Sequence, residues 1–230
     1  MITKRFYLCT LLAAVLFVCS CSDGRSRLRG NIRGLDDGKV FLVGHGSGGV
    51  WALDSATVRG GRFSMRLPDI VPDILYLRLG ERCEIPLVVT GEELRVEGNL
   101  LYRELPAVYG SHENGLLTEY RRMIEPARIQ EEALERQLAP YRDSTSLGDS
   151  ASYSVLLRGR YAVRKKMGEI RSTFIADHPL SIVAAMIAAG EPSSDAAGAD
   201  SLIRSLDVGN MADNVFLRRL KARRDSLARL

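Results

Sequence analysis

Apolar and polar positions alternate from Arg27 to about Gly98, in short runs broken by Gly, Pro and Asp. Leu28, Gly30 and Ile32 share one face of the first run. Asp36-Asp37-Gly38 turns the chain into a run carrying Val40 and Leu42, and Gly44 to Gly49 reads as a hairpin loop. Trp51–Ser55 and Thr57–Arg59 are extended, and Gly60-Gly61 leads into Phe63, Met65 and Leu67. Pro68 and Pro72 then interrupt the ladder. Leu75, Leu77 and Leu79, then Ile85, Leu87 and Val89, then Leu94 and Val96 complete the set. Roughly seven or eight strands with no helix between them predict an antiparallel β-sandwich or open barrel over residues 27–105.

The period changes at Ser111, which is placed to cap a helix. Leu117, Tyr120, Ile124, Ala127, Leu134, Leu138 and Tyr141 form one stripe at helical spacing. After a polar break from Asp143 to Ser150, Tyr153, Leu156, Val163, Met167, Ile170 and Phe174 form a second. The stripes mirror each other, setting Tyr141 against Tyr153 and Tyr120 against Phe174 in an antiparallel helical hairpin. Glu131 and Arg160 interrupt the seam. Either they meet as an ion pair, or both extend outward on long stems. His178-Pro179 ends the hairpin. A buried helix follows over Leu180–Ala189, closed by Gly190, and Pro192 to Ala199 is a loop. A short helix spans Asp200–Leu206, and Asp213 caps a last one with Phe216, Leu217 and Leu220. The fold class is therefore α+β: a sandwich domain, then an α-helical domain over residues 111–230.

The start of the chain has a different character. Lys4 and Arg5 precede an apolar segment from Phe6 to Val18, the shape of a secretory signal. Its length of about 13 residues falls short of the roughly 20 that a bilayer-spanning helix needs. Small Ser20 before Cys21 suits lipoprotein processing. Residues 1–20 thus read as a lipoprotein signal peptide, Cys21 as the lipidated first residue, and residues 21–26 as a tether. An uncleaved anchor, or secretion with a free Cys21, are the rival readings. Ser22 beside Cys21 favours the outer over the inner membrane of a bacterial envelope.

Charge changes this picture little. The 32 Lys+Arg and 28 Asp+Glu give a net +4, and removing Lys4 and Arg5 leaves about +2. The cations are interspersed, and Arg164-Lys165-Lys166 and Arg218-Arg219 fall on helices, so no nucleic-acid partner is expected. Cysteines are more decisive. Cys9 and Cys19 lie in the signal, Cys21 is taken by lipid, and Cys83 remains as a free thiol. A lone thiol makes neither an intrachain disulfide nor a C-x-x-C pair.

Candidate chemistry is sparse. Gly44, Gly46 and Gly49 match G-x-G-x-x-G, but an extended run follows where a phosphate-binding helix is required. His45 and Ser47 share a Gly-rich loop with no specified orienting carboxylate. His112 and His178, with Glu113 or Asp177, form a weak metal set at the hairpin's ends. No residue is assigned as catalytic, and no metal or cofactor is expected.

Gly30-Asn31-Ile32-Arg33-Gly34, Lys39-Val40-Phe41-Leu42, Leu53-Asp54-Ser55-Ala56-Thr57-Val58 and Gly61-Arg62-Phe63-Ser64 stand in an order that carries a resemblance. So do Gly110-Ser111-His112-Glu113-Asn114 and the stretch from Phe174 through Pro179 and Ser181 to Ala184. Together they resemble bacterial lipoproteins with the β-rich domain of unknown function 4369. In that family the domain commonly precedes a thioredoxin-like module of thiol-disulfide oxidoreductase or peroxiredoxin type. No residue here matches that module's C-x-x-C, so its activity does not carry over. The expected function is a non-catalytic envelope lipoprotein, held to the membrane through Cys21, that binds a protein partner. Such a partner would include a separate thioredoxin-like protein. The alternatives are an accessory to a thioredoxin-like oxidoreductase acting through Cys83, and an envelope hydrolase.

Overall fold

The computed structural model describes residues 26–46, 49–69, 73–81, 83–102, 106–143, 150–190, 196–206 and 214–229. Among these residues, eight strands form two four-stranded sheets. They are β1 (Arg27–Arg33), β2 (Gly38–Gly46), β3 (Gly49–Val58), β4 (Arg62–Arg66), β5 (Asp73–Leu79), β6 (Cys83–Val89), β7 (Leu94–Asn99) and β8 (Ala107–Tyr109). One sheet has the order β4-β1-β7-β8 and the other β3-β2-β5-β6. Every pairing is antiparallel except β1 with β7. The alternation read from the sequence puts Leu28, Ile32, Val40, Leu42, Leu77, Ile85, Leu87 and Leu94 between the sheets, each fully buried. Each such side chain contributes about 2 kcal/mol of burial before entropy is counted.

The glycines expected to form a loop belong to a strand. Gly44, His45 and Gly46 continue β2, opposite Trp51, Val50 and Gly49 of β3. The reason is local: a Cβ on Gly44 would lie 2.6 Å from the Trp51 ring. The aromatic ring therefore covers a position that has no side chain of its own. Gly30 repeats the device. It sits opposite Phe63, and a Cβ there would lie 2.0 Å from the ring. The strand β8, beyond residue 105, adds a further edge to the first sheet.

Helix α1 (His112–Asp143) and α2 (Ser150–Asp177) form the expected hairpin. The 32 residues of α1 give it a length of about 48 Å. Ring centroids lie 5.4 Å apart for Tyr141 and Tyr153 and 5.2 Å for Tyr120 and Phe174, as the mirrored stripes require. The seam ion pairs differ from the expected one. Glu131 pairs with Arg164 at 2.6 Å and Arg160 with Glu135 at 2.9 Å. In this register Glu131 lies beside Val163 and next to Arg164, so Arg160 is most of a turn too far along.

Three short helices follow: α3 (Ile182–Gly190), α4 (Ala196–Arg204) and α5 (Val215–Leu227). Helix α4 starts four residues before the expected Asp200, because Ala199 and Ile203 are buried on one face. Asn214, not Asp213, caps α5: its side chain accepts from the backbone N–H of Phe216 and Leu217. Asp213 lies outside the described residues. These helices and the base of the hairpin bury a second core against the outer face of the β5–β6 sheet, through Ile74 and Val88.

The first turn of α1 joins the two parts. Asn114, fully buried, accepts from the Val88 N–H at 2.9 Å and donates to the Val88 carbonyl at 2.7 Å. Ser111 Oγ accepts from both Asn114 nitrogens. Glu113 Oε2 accepts from Ser181 Oγ at 2.7 Å and from Val183 N–H at 3.2 Å, at the start of α3. Gly110, at φ 109°, passes so close to Glu93 that a Cβ would lie 2.1 Å from its carbonyl oxygen.

Candidate binding surfaces of the sandwich

Alternation turns every second residue of β1, β4 and β7 outward, and in this chain those residues are mostly arginine. Arg27, Arg29, Asn31 and Arg33 are exposed on β1, Arg62, Ser64 and Arg66 on β4, and Arg95 and Glu97 on β7. Arg27 faces Arg66, Asn31 sits between Arg62 and Glu97, and Arg29 lies between Ser64 and Arg95. Arg29 Nε lies 3.0 Å from Glu93, which moderates the cluster. Like charges directly opposite one another on neighbouring strands disfavour the sheet. A face of this kind can bind an acidic surface, with an attraction that weakens as salt rises. Sequence reading missed it because each cation stands alone between apolar neighbours, and the strands are remote in the chain. The outward positions of Arg27-x-Arg29 and Arg62-x-x-x-Arg66 were the available signal.

A second polar cluster lies on the outer face of the other sheet. Glu84 accepts from Arg78 Nε at 2.8 Å and is 2.9 Å from His45 Nε2. The His45 ring packs 4.4 Å from that of Tyr76. Burial, aided by Glu84, pushes the Tyr76 phenol up, so it stays a neutral donor. An open recess of about 520 Å³ adjoins, lined by Arg78, Gly80, Glu81 and Glu84. His45 thus lies on a strand and has a carboxylate neighbour that its sequence surroundings did not reveal. Ser47, its expected companion, lies outside the described residues. Glu84 is shared between Arg78 and His45.

Cys83 is a free, half-buried thiol packed against the sandwich core. Burial pushes its pKa up, with Arg121 partly offsetting the effect, so the neutral thiol is favoured over the reactive thiolate. Of the weak metal set, Glu113 accepts from Ser181 Oγ, and the His178 ring packs 4.6 Å from Phe174. Among the described residues no group of three or more His, Cys, Asp or Glu is placed to hold a metal ion. Cys21 lies outside them. No described helix is long and apolar enough to cross a membrane.

The fold defines an α+β protein in which a two-sheet sandwich is clamped to a helical hairpin and short helices. Residues 26–117 match the family model for the Domain of unknown function (DUF4369). The match covers the whole sandwich and reaches Ser111 and Asn114, the residues of the clamp. No curated protein and no solved structure matches the chain.

Proposed function

We propose that this protein is a cell-envelope lipoprotein, tethered by acyl chains on Cys21, that serves as a non-catalytic interaction scaffold. The arginine face of β1, β4 and β7 is the observation that supports it best: a rigid, exposed surface suited to an acidic partner. The short apolar segment before Cys21 supports the tether, and Ser22 favours the outer membrane. The family resemblance makes a separately encoded thioredoxin-like protein the first partner to look for. The neutral, half-buried Cys83 speaks for docking without a mixed disulfide. Crosslinking and capture of the acylated protein from its own membranes tests the reading. A stoichiometric partner should be recovered, and it should be lost when Arg29→Glu and Arg62→Glu are combined. Recovery of nothing stoichiometric, or of the same partner with the charge-reversed protein, would contradict it.

A further inference from the structure

The β2–β3 hairpin carries apolar side chains where the sandwich no longer covers them. Val50 and Trp51 are each 48% exposed, and Trp51 is the largest apolar side chain of the β domain. The registers place this tip at one particular end of the molecule. Strand β1 runs away from Ser26 and β2 returns, so Gly46 and Gly49 lie at the end where β1 begins. Asp73 of β5 continues past the Tyr76–Val43 pair toward the same end and is opposite Val89 of β6. The turn after Val89 contains Gly91, whose carbonyl accepts from Ser26 Oγ at 2.7 Å, and it leads to Leu94, opposite Leu28. The hairpin tip and the attachment point of the tether therefore share an end.

From Cys21 to Ser26 the chain spans five residues, at most about 17 Å when fully extended. Acyl chains on Cys21 would hold this end of the sandwich close to the bilayer surface. Around it stand Trp51, Val50 and the 44% exposed Tyr109, with Arg27 and Arg66 side by side on the adjoining face. Aromatic side chains with a polar edge partition to the headgroup region, and arginines beside them suit anionic lipid. Glu92 and Glu93 also lie in the nearby turn, so the apolar tip rather than net charge carries the contact.

We infer that the tether end of the sandwich docks on the membrane surface, with Trp51 and Val50 inserted at the headgroup boundary. This rests on acylation of Cys21. The test uses Trp51 as its own probe, since it is the sole tryptophan. The acylated full-length protein is reconstituted into vesicles of phosphatidylethanolamine and phosphatidylglycerol, with and without lipids brominated near the headgroup. Docking shifts Trp51 emission to shorter wavelength and makes brominated lipid quench it strongly. Protein that floats with the vesicles but keeps unshifted, unquenched emission would overturn docking while leaving the tether intact. Protein that neither floats nor carries acyl mass would overturn both. A shift seen without lipid, and growing with protein concentration, would assign Trp51 to contact with a second copy and overturn the inference too.

Discussion

Asn114 completes the edge of a sheet that its own helix does not belong to. Its side-chain amide takes the Val88 N–H at 2.9 Å and returns a donor to the Val88 carbonyl at 2.7 Å, as a neighbouring strand would. Strand β6 is the last in its sheet, so one side chain both covers an open edge and fixes the helical part upon it. Replacing it leaves two buried backbone groups without these bonds. Asn114→Ala should cost about 3 kcal/mol in urea unfolding and speed amide exchange at Val88. A loss below about 1 kcal/mol would show that the clamp is incidental.

The two aromatic-covered glycines should differ in tolerance. Phe63 over Gly30 is only 6% exposed and has nowhere to move, whereas Trp51 over Gly44 can swing toward solvent. Gly30→Ala is expected to destabilise by about 2 kcal/mol and Gly44→Ala by less than about 1 kcal/mol. Thermal unfolding of the two variants measures the order, and a reversed order contradicts the packing described.

Coupling across the helical seam should follow the observed register. A double-mutant cycle for Glu131 and Arg164 is expected to give about 0.5 kcal/mol, a modest value because Arg164 is largely exposed. A cycle for Glu131 and Arg160 should give close to zero. Equal coupling in the two cycles would return the seam to the pairing expected from the sequence.

Cys83 should react as a protected thiol. Its folded pKa lies above the ordinary 9.0, so the thiol form is the favoured one. The associated stability is present below that value and is lost as pH rises through the higher folded pKa. Iodoacetamide alkylation of the native protein should therefore climb at a higher pH than for the urea-unfolded chain. A native midpoint lower than the unfolded one would revive a thiolate role for Cys83.

Much of the architecture was legible from periodicity alone. Leu28 to Ile32 and Leu75 to Leu79 alternate cleanly, and the mirrored stripes gave the Tyr141–Tyr153 contact directly. Errors arose where a residue's role depends on a distant neighbour. Gly44 reads as a loop residue until Trp51 is known to lie over it, and Glu131 reads as a partner of Arg160 until the register is known to within a residue. Asn114 was visible as part of a motif, but its bond to Val88 spans 26 positions and leaves no local trace. The arginine face was hidden for the same reason. Strand order, which no single run specifies, puts Arg27 beside Arg66 and Arg29 beside Arg95.

The proposed scaffold role and the docking end of the sandwich both depend on attachment to a membrane. Mass spectrometry of the amino-terminal peptide from membrane-extracted protein tests this most directly. The expected product begins at Cys21 and carries fatty-acyl mass on that residue. A peptide that retains residues before Cys21, or one with an unmodified Cys21, would contradict it.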